Sequence, residues 1–232
     1  MDLADRIAAH EAWWRDQSTG ARLVLQNSDL SGCDLQGRQL VRAKLSNVDL
    51  TAANLWNCNL ARAELTDVTL ARANMRGCSL RDSKLQCVNM NEIQGAEFDL
   101  DGASGADLQF VRAQMPESSM AKSDFDRVDF SYAILTSANM HRLAVTGGRL
   151  FRADLSGANL TYALFSDVDL RSATIKGAKF ERTRMRKVRV AGLQGFSATP
   201  DTISFEMVDF SRDGDGSELG NNEQFFAAFA HH

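Results

Sequence analysis

Only two prolines occur in 232 residues, too few for a proline-rich linker or spacer. No run of eighteen apolar residues exists, which excludes a membrane-spanning helix. The first fourteen residues, Met1 to Trp14, scatter Asp, Arg, His and Glu among their apolar residues, unlike a secretory signal. Four cysteines at Cys33, Cys58, Cys78 and Cys87 fit no metal-ligand spacing, so reduced thiols and a cytoplasmic setting are expected. Histidine is nearly absent too. The two non-terminal ones, His10 and His141, have no Cys or Ser nucleophile nearby in sequence, and both are read as solvated. With no phosphate-cradling glycine loop either, no enzyme, no metal and no cofactor are expected. A net charge of −4 is mild and argues neither for nor against a nucleic-acid partner.

What the chain does have is a period of five. Every fifth position from Leu30 to Val190 carries Leu, Met, Phe, Ile or Val at 31 of 33 places, the exceptions being Gly95 and Gly105. Two residues before each large residue sits a smaller one, as at Ala43, Ala53, Ala63, Ala73, Ala113, Ala133, Ala153 and Ala163. Between them stands Asp or Asn in many units, including Asp49, Asn54, Asn74, Asp129, Asn139, Asp154 and Asn159. Positions five apart on a helix differ by about 140° and share no face. In a flat strand an odd period would flip every second unit outward. Each unit must therefore be one short side and one bend of a coiled chain.

A superperiod of twenty sets four units per coil. The series Val48, Val68, Val88, Leu108, Val128, Gly148, Val168, Val188 and Val208 stacks like on like. This predicts an all-β, four-sided solenoid of about nine coils, its ladder hydrogen bonds running between coils. These units (small, Asp or Asn, large apolar, then two free positions) resemble those of the pentapeptide repeat proteins, over about four-fifths of the chain. The resemblance implies a right-handed quadrilateral β-helix, often dimeric.

The reading divides the chain into an N-terminal capping helix at 1–20, a solenoid at 21–212, and a linker with a C-terminal helix at 213–232. A solenoid needs covered ends. "LADRIAAHEAWWRDQ" reads as an amphipathic helix with Leu3, Ile7 and Trp14 on one face and Trp13 beside it. At the other end the repeat lapses after Val190, with Gly195 in a large position and Pro200 in the next. The tail "NNEQFFAAFAHH" is a helix with Phe225, Phe226 and Phe229, which either folds back on the last coil or pairs with a second copy as a homodimer. At Gly95 and Gly105 the expectation is compensated packing by Ile93, Phe98 and Leu108, against the alternative of a local bend.

The surface offers two candidate sets. Arg42, Arg62, Lys122, Arg142 and Arg182 share one outward column, interrupted by Asp82, Gly102 and Tyr162, and form a candidate partner-binding stripe. Glu92, Glu97, Asp99, Asp101 and Asp107 form a candidate acidic surface. Cys58 and Cys78 are read as inward fillers one coil apart, and Cys87 as the one thiol on an outward corner, with reactivity there the lesser alternative. The leading functional expectation is a non-enzymatic scaffold for an unidentified protein partner. A narrower one is mimicry of duplex DNA, since the family resemblance extends to proteins that bind DNA gyrase, a type II topoisomerase, and give quinolone or toxin resistance. Direct binding of nucleic acid or another anionic partner through the basic stripe ranks last.

Overall fold

A computed structural model describes residues 2–197 and 203–229, without the side chain of Phe229. Pro200 and the terminal histidines His231 and His232 therefore lie outside the described residues. The chain opens with helix α1 (Leu3–Arg15) and then coils through β1 (Val24–Asp29), β2 (Lys44–Asp49), β3 (Glu64–Thr69), β4 (Lys84–Asn89) and β5 (Ser104–Gln109). It continues through β6 (Asp124–Asp129), β7 (Ala144–Thr146), β8 (Leu164–Ser166), β9 (Thr183–Arg189) and β10 (Ile203–Asp209), and closes with β11 (Leu219–Gly220) and α2 (Asn222–Phe229). The strands form one sheet in sequence order. Strands β1 to β10 pair in parallel at an offset of twenty residues, from Val24↔Lys44 to Ile203↔Thr183. Nine turns therefore separate β1 from β10. Isolated parallel bridges with the same offset, such as Asp34↔Asn54 and Gln39↔Asn59, tie the other sides together.

The five-residue period has a local cause at each of its positions. The small and large members point inward: Val48, Val68 and Val88 are 2 %, 2 % and 1 % exposed, and the leucines, methionines and phenylalanines beside them are equally buried. Asp or Asn before the large residue closes the bend, because its side-chain oxygen accepts the backbone N–H two residues on. Asp49 takes Thr51 N–H at 2.8 Å and Asp129 takes Ser131 N–H at 2.8 Å. The amides also ladder between coils, as where Asn54 donates to Asp34 and Asn74 to Asn54. Two residues after the large one, the backbone turns left-handed at nearly every unit, with φ near +55° at Asn47, Ala52, Asn57, Arg62 and Asp67. A side chain there costs about 1–2 kcal/mol, and β-branched residues are strained most. Among the described residues, none of the non-glycine residues at these corners is Val, Ile or Thr.

The glycine units keep the register. Leu85 pairs with Gly105 and Gly105 with Phe125, so no extra residue bulges out. A Cβ on Gly95 would lie 3.3 Å from Ile93 Cδ1 and 3.3 Å from Met115 Cγ. Neighbours have filled the space, and the packing is compensated. After the lapse that follows Val190 the strand resumes in the same register, with Val208 paired to Val188. Gly195 turns left-handed at φ +73°, and Phe196 takes over as the large residue, packed against Phe180 and Phe205.

Both ends are covered. In α1, Asp2 caps the N-terminus by accepting Asp5 N–H, and Leu3 and Ile7 sit at the mouth of the leucine shaft. Arg6 donates to the Val24 carbonyl, and Glu11 accepts Gln39 N–H at 3.2 Å. These satisfy first-coil groups that have no earlier coil to bond. Two expectations need correction here. Trp14 is not on the buried face but 37 % exposed, since it falls in the last turn, beyond the shaft. His10 is not solvated: it is fully buried, accepts Leu23 N–H through Nδ1 at 2.9 Å and stacks on Trp13. A polar side chain was needed there because Leu23 N–H lies where no backbone acceptor reaches it.

Burial pushes the His10 pKa below its ordinary 6.5, opposed by the Val41 carbonyl. The folded state thus keeps His10 neutral to lower pH than the unfolded chain does. Its contribution to stability is complete above about pH 6.5 and is lost as pH falls through the lowered folded value. We expect the melting temperature to drop below that pH with a component absent in His10→Gln, whose side-chain oxygen can still accept the Leu23 N–H. An identical pH profile in the variant would exclude His10 as the titrating group.

At the far end Phe225 is fully buried, stacked on Phe205 with centroids 3.7 Å apart and edge-on to Phe196 at 4.8 Å. Asn222 accepts Phe205 N–H at 3.0 Å. The tail folds back on its own last coil. Phe226 is half-buried beside it.

Candidate interaction surface

Because the corners repeat every five residues and coils every twenty, each corner presents one column of left-handed residues. The basic stripe is the first such column, and its cations are not equivalent. Arg62 pairs with Asp82 one coil on, at 3.6 Å. Arg142 and Arg182 lie over opposite sides of the Tyr162 ring, 5.6 and 5.5 Å from its centroid. His141 packs edge-on to that ring and hydrogen-bonds Thr161 at 2.7 Å. Arg42 and Lys122 make no ion pair among the described residues.

The five acidic residues are not brought together. Glu92, Glu97 and Asp107 occupy three different corners, and Asp99 and Asp101 lie on the side between the Glu97 and Gly102 corners. Four of the five are also matched by arginine. Arg81 bridges Asp99 and Asp101 at 3.1 and 3.2 Å, Arg76 reaches Glu97 at 3.5 Å, and Arg127 grips Asp107 through two nitrogens at 2.7 and 2.9 Å. The Arg127 fork holds the Asp107 carboxyl below its ordinary range. Asp129 likewise faces Arg149 at 3.9 Å. No continuous acidic face results among these carboxylates.

A second arginine–aromatic column stands on the diagonally opposite corner, ten residues out of phase. Arg112 and Arg152 lie 5.7 and 5.9 Å from the Tyr132 centroid, and Phe151 packs edge-on to Tyr132 at 5.6 Å. The sequence reading missed this set. Its signal was available: the chain has only two tyrosines, and each has arginine twenty residues before and after it. Beside this corner runs a shallow groove of about 480 Å³ lined by Gln109, Val111 and Gly147 and by the Asp107–Arg127 and Asp129–Arg149 pairs, in which each carboxylate is matched by a guanidinium.

Chemistry is sparse elsewhere. Among the described residues no group of His, Cys, Asp or Glu could hold a metal ion, and no helix is long and apolar enough to cross a membrane. Cys58 and Cys78 are buried in one column, Cys33 is half-buried, and Cys87 is exposed. The hydrogen bond with Cys58, and then burial, push the Cys78 thiol upward, and burial raises Cys33, so neither is an activated nucleophile.

A family model described as pentapeptide repeats matches the chain in eight copies over residues 43–82, 104–142 and 149–186. Among solved structures, HetL, a pentapeptide repeat protein involved in heterocyst differentiation regulation from the cyanobacterium Nostoc sp. strain PCC 7120, is 22% identical. That match covers 94% of this chain and 99% of HetL, with a TM-score of 0.37. Trypsin-treated QnrB1, a plasmid-mediated fluoroquinolone resistance protein, is 15% identical over 82% of this chain and 91% of its own, with a TM-score of 0.39. Rfr23 from the cyanobacterium Cyanothece 51142 is 14% identical over 82% of this chain and 99% of its own, with a TM-score of 0.18. No curated protein matches the chain. The sealed twenty-residue coil, the Asx-closed bends and family-model matches spanning half of the chain lead to one assignment: this chain belongs to the pentapeptide repeat family.

Proposed function

We propose that the chain is a non-catalytic scaffold that presents its outward columns to a protein partner. One observation carries this reading: the inward positions are sealed by stacked apolar side chains, so recognition falls to the outside, where a constant register holds side chains in rows. A rigid rod of this kind offers extended surface and little pocket volume, which suits binding more than turnover. Photoreactive residues placed singly on each of the four corners test it in the source cell. Protein adducts concentrated along one or two corners are expected, and equal, sparse labelling on all four would overturn the scaffold.

The narrower reading, occupation of a type II topoisomerase by a duplex-like rod, calls for a continuous acidic face. The pairing of Asp82, Glu97, Asp99, Asp101, Asp107 and Asp129 with arginine disfavours it. We therefore expect DNA gyrase supercoiling to be unchanged by micromolar protein. Inhibition, or protection from a quinolone, would replace the scaffold with mimicry.

A further inference from the structure

We propose that the Arg112–Tyr132–Arg152 corner, with the groove beside it, docks an acidic, extended segment of a partner protein. Both guanidinium groups are positioned by the Tyr132 ring, and Arg152 also lies 5.2 Å from the Phe151 centroid. A cation–π contact of this kind draws a guanidinium to the ring while leaving N–H donors for a carboxylate fork. Neither arginine forms an ion pair among the described residues, although Arg62, Arg76, Arg81, Arg127, Arg149 and Arg171 all do. Glu92, one coil below in the same column, makes no ion pair with Arg112 and bounds the site on that side. Arg171, one coil above Phe151, is already held by the buried Asp169 at 2.6 Å.

The spacing selects the occupant. Arg112 and Arg152 are two coils apart, so their backbones are separated by about 10 Å along the axis. In a polyproline II chain, residues three apart lie about 9 Å apart on one face. An acidic segment with carboxylates at that interval can reach both forks while running along the rod, its apolar atoms against Val111 in the groove. A single-stranded nucleic acid fits less well, because it uses free aromatic faces for base stacking, and both sides of Tyr132, itself 41 % exposed, carry guanidinium groups.

The docking site rests on the scaffold reading, yet the two fail separately: an effect on gyrase would sink the scaffold without touching a peptide titration. The probe is a fluorescent peptide with Glu at every third position among Pro and Ala, titrated by anisotropy against the full-length protein. One-to-one binding is expected, at least about tenfold tighter than for the matched Gln peptide, since charge-assisted hydrogen bonds are worth that much each. Arg112→Gln and Arg152→Gln should each weaken binding about tenfold. Tyr132→Phe should retain it and Tyr132→Leu should weaken it, which separates positioning by the ring from a contact through the hydroxyl. Lys179→Gln, exposed on a side of the rod that does not adjoin this corner, should change nothing, and unchanged melting temperatures would show that the variants fold. Equal binding by the Arg112 and Arg152 variants, an equal loss in Lys179→Gln, or tighter binding of oligothymidylate than of the acidic peptide would overturn the proposal.

Discussion

Phe130→Ala is expected to destabilise the solenoid by about 3–5 kcal/mol, a large share of the total stability of a typical domain. Phe130 is almost wholly buried and stacks on Phe110 one coil below, with centroids 4.7 Å apart and planes 17° from parallel. The hole left by alanine cannot close. The neighbours above and below are held by backbone ladders, with Phe110 N–H bonded to Asp129 and Phe130 N–H to Arg149. Sideways collapse would break those ladders. Urea unfolding checks this: the midpoint should fall with the slope retained, because the same surface is exposed on unfolding. A loss under about 1 kcal/mol would show that the shaft repacks like an ordinary core.

Gly105→Ala should also destabilise the centre of the rod, by about 1–3 kcal/mol, although it adds a single methyl group. A Cβ built there would press on the Leu85 carbonyl oxygen and lie 2.9 Å from Leu85 Cβ, with Leu108 Cδ1 3.2 Å away on the other side. Leu108 can change rotamer, but the carbonyl belongs to the β4–β5 ladder and has nowhere to go. Gly95→Ala should be milder, since its nearest atoms are the flexible ends of Ile93 and Met115 at 3.3 Å. The comparison is made by thermal denaturation of the two variants side by side. If Gly95→Ala costs as much as Gly105→Ala, side-chain crowding and not backbone contact controls the middle coils.

The repeat made most of the fold legible before any coordinates. A strict period leaves few solutions: the twenty-residue superperiod foretold the stacked valines, and the large residues beside Gly95 and Gly105 pointed to compensated packing over a bend. The caps were legible only in part. Hydrophobic spacing found α1 and the aromatic tail, but it placed Trp14 on the wrong side of the helix end and took His10 for a solvated residue. Polarity usually signals exposure. Here it signalled an unpaired backbone donor on Leu23, which exists only because the helix and the first coil meet.

The surface shows the same division. Periodicity alone assigned most side chains to the inside or outside and every corner residue to a column, because both follow from a backbone that repeats; Val41 and Asp169, buried at outward positions, are exceptions set by local packing. It did not say which charges cancel. Five acidic residues close in sequence were dispersed around the coil, and a stripe of like-charged side chains proved to be partly paired and partly held over a tyrosine ring. Those outcomes depend on contacts between residues eighteen to twenty-two positions apart, whose distances come from coil spacing and side-chain reach. The order of the residues therefore determined the rod and its columns, and tertiary packing decided which side chains on them stay free to bind.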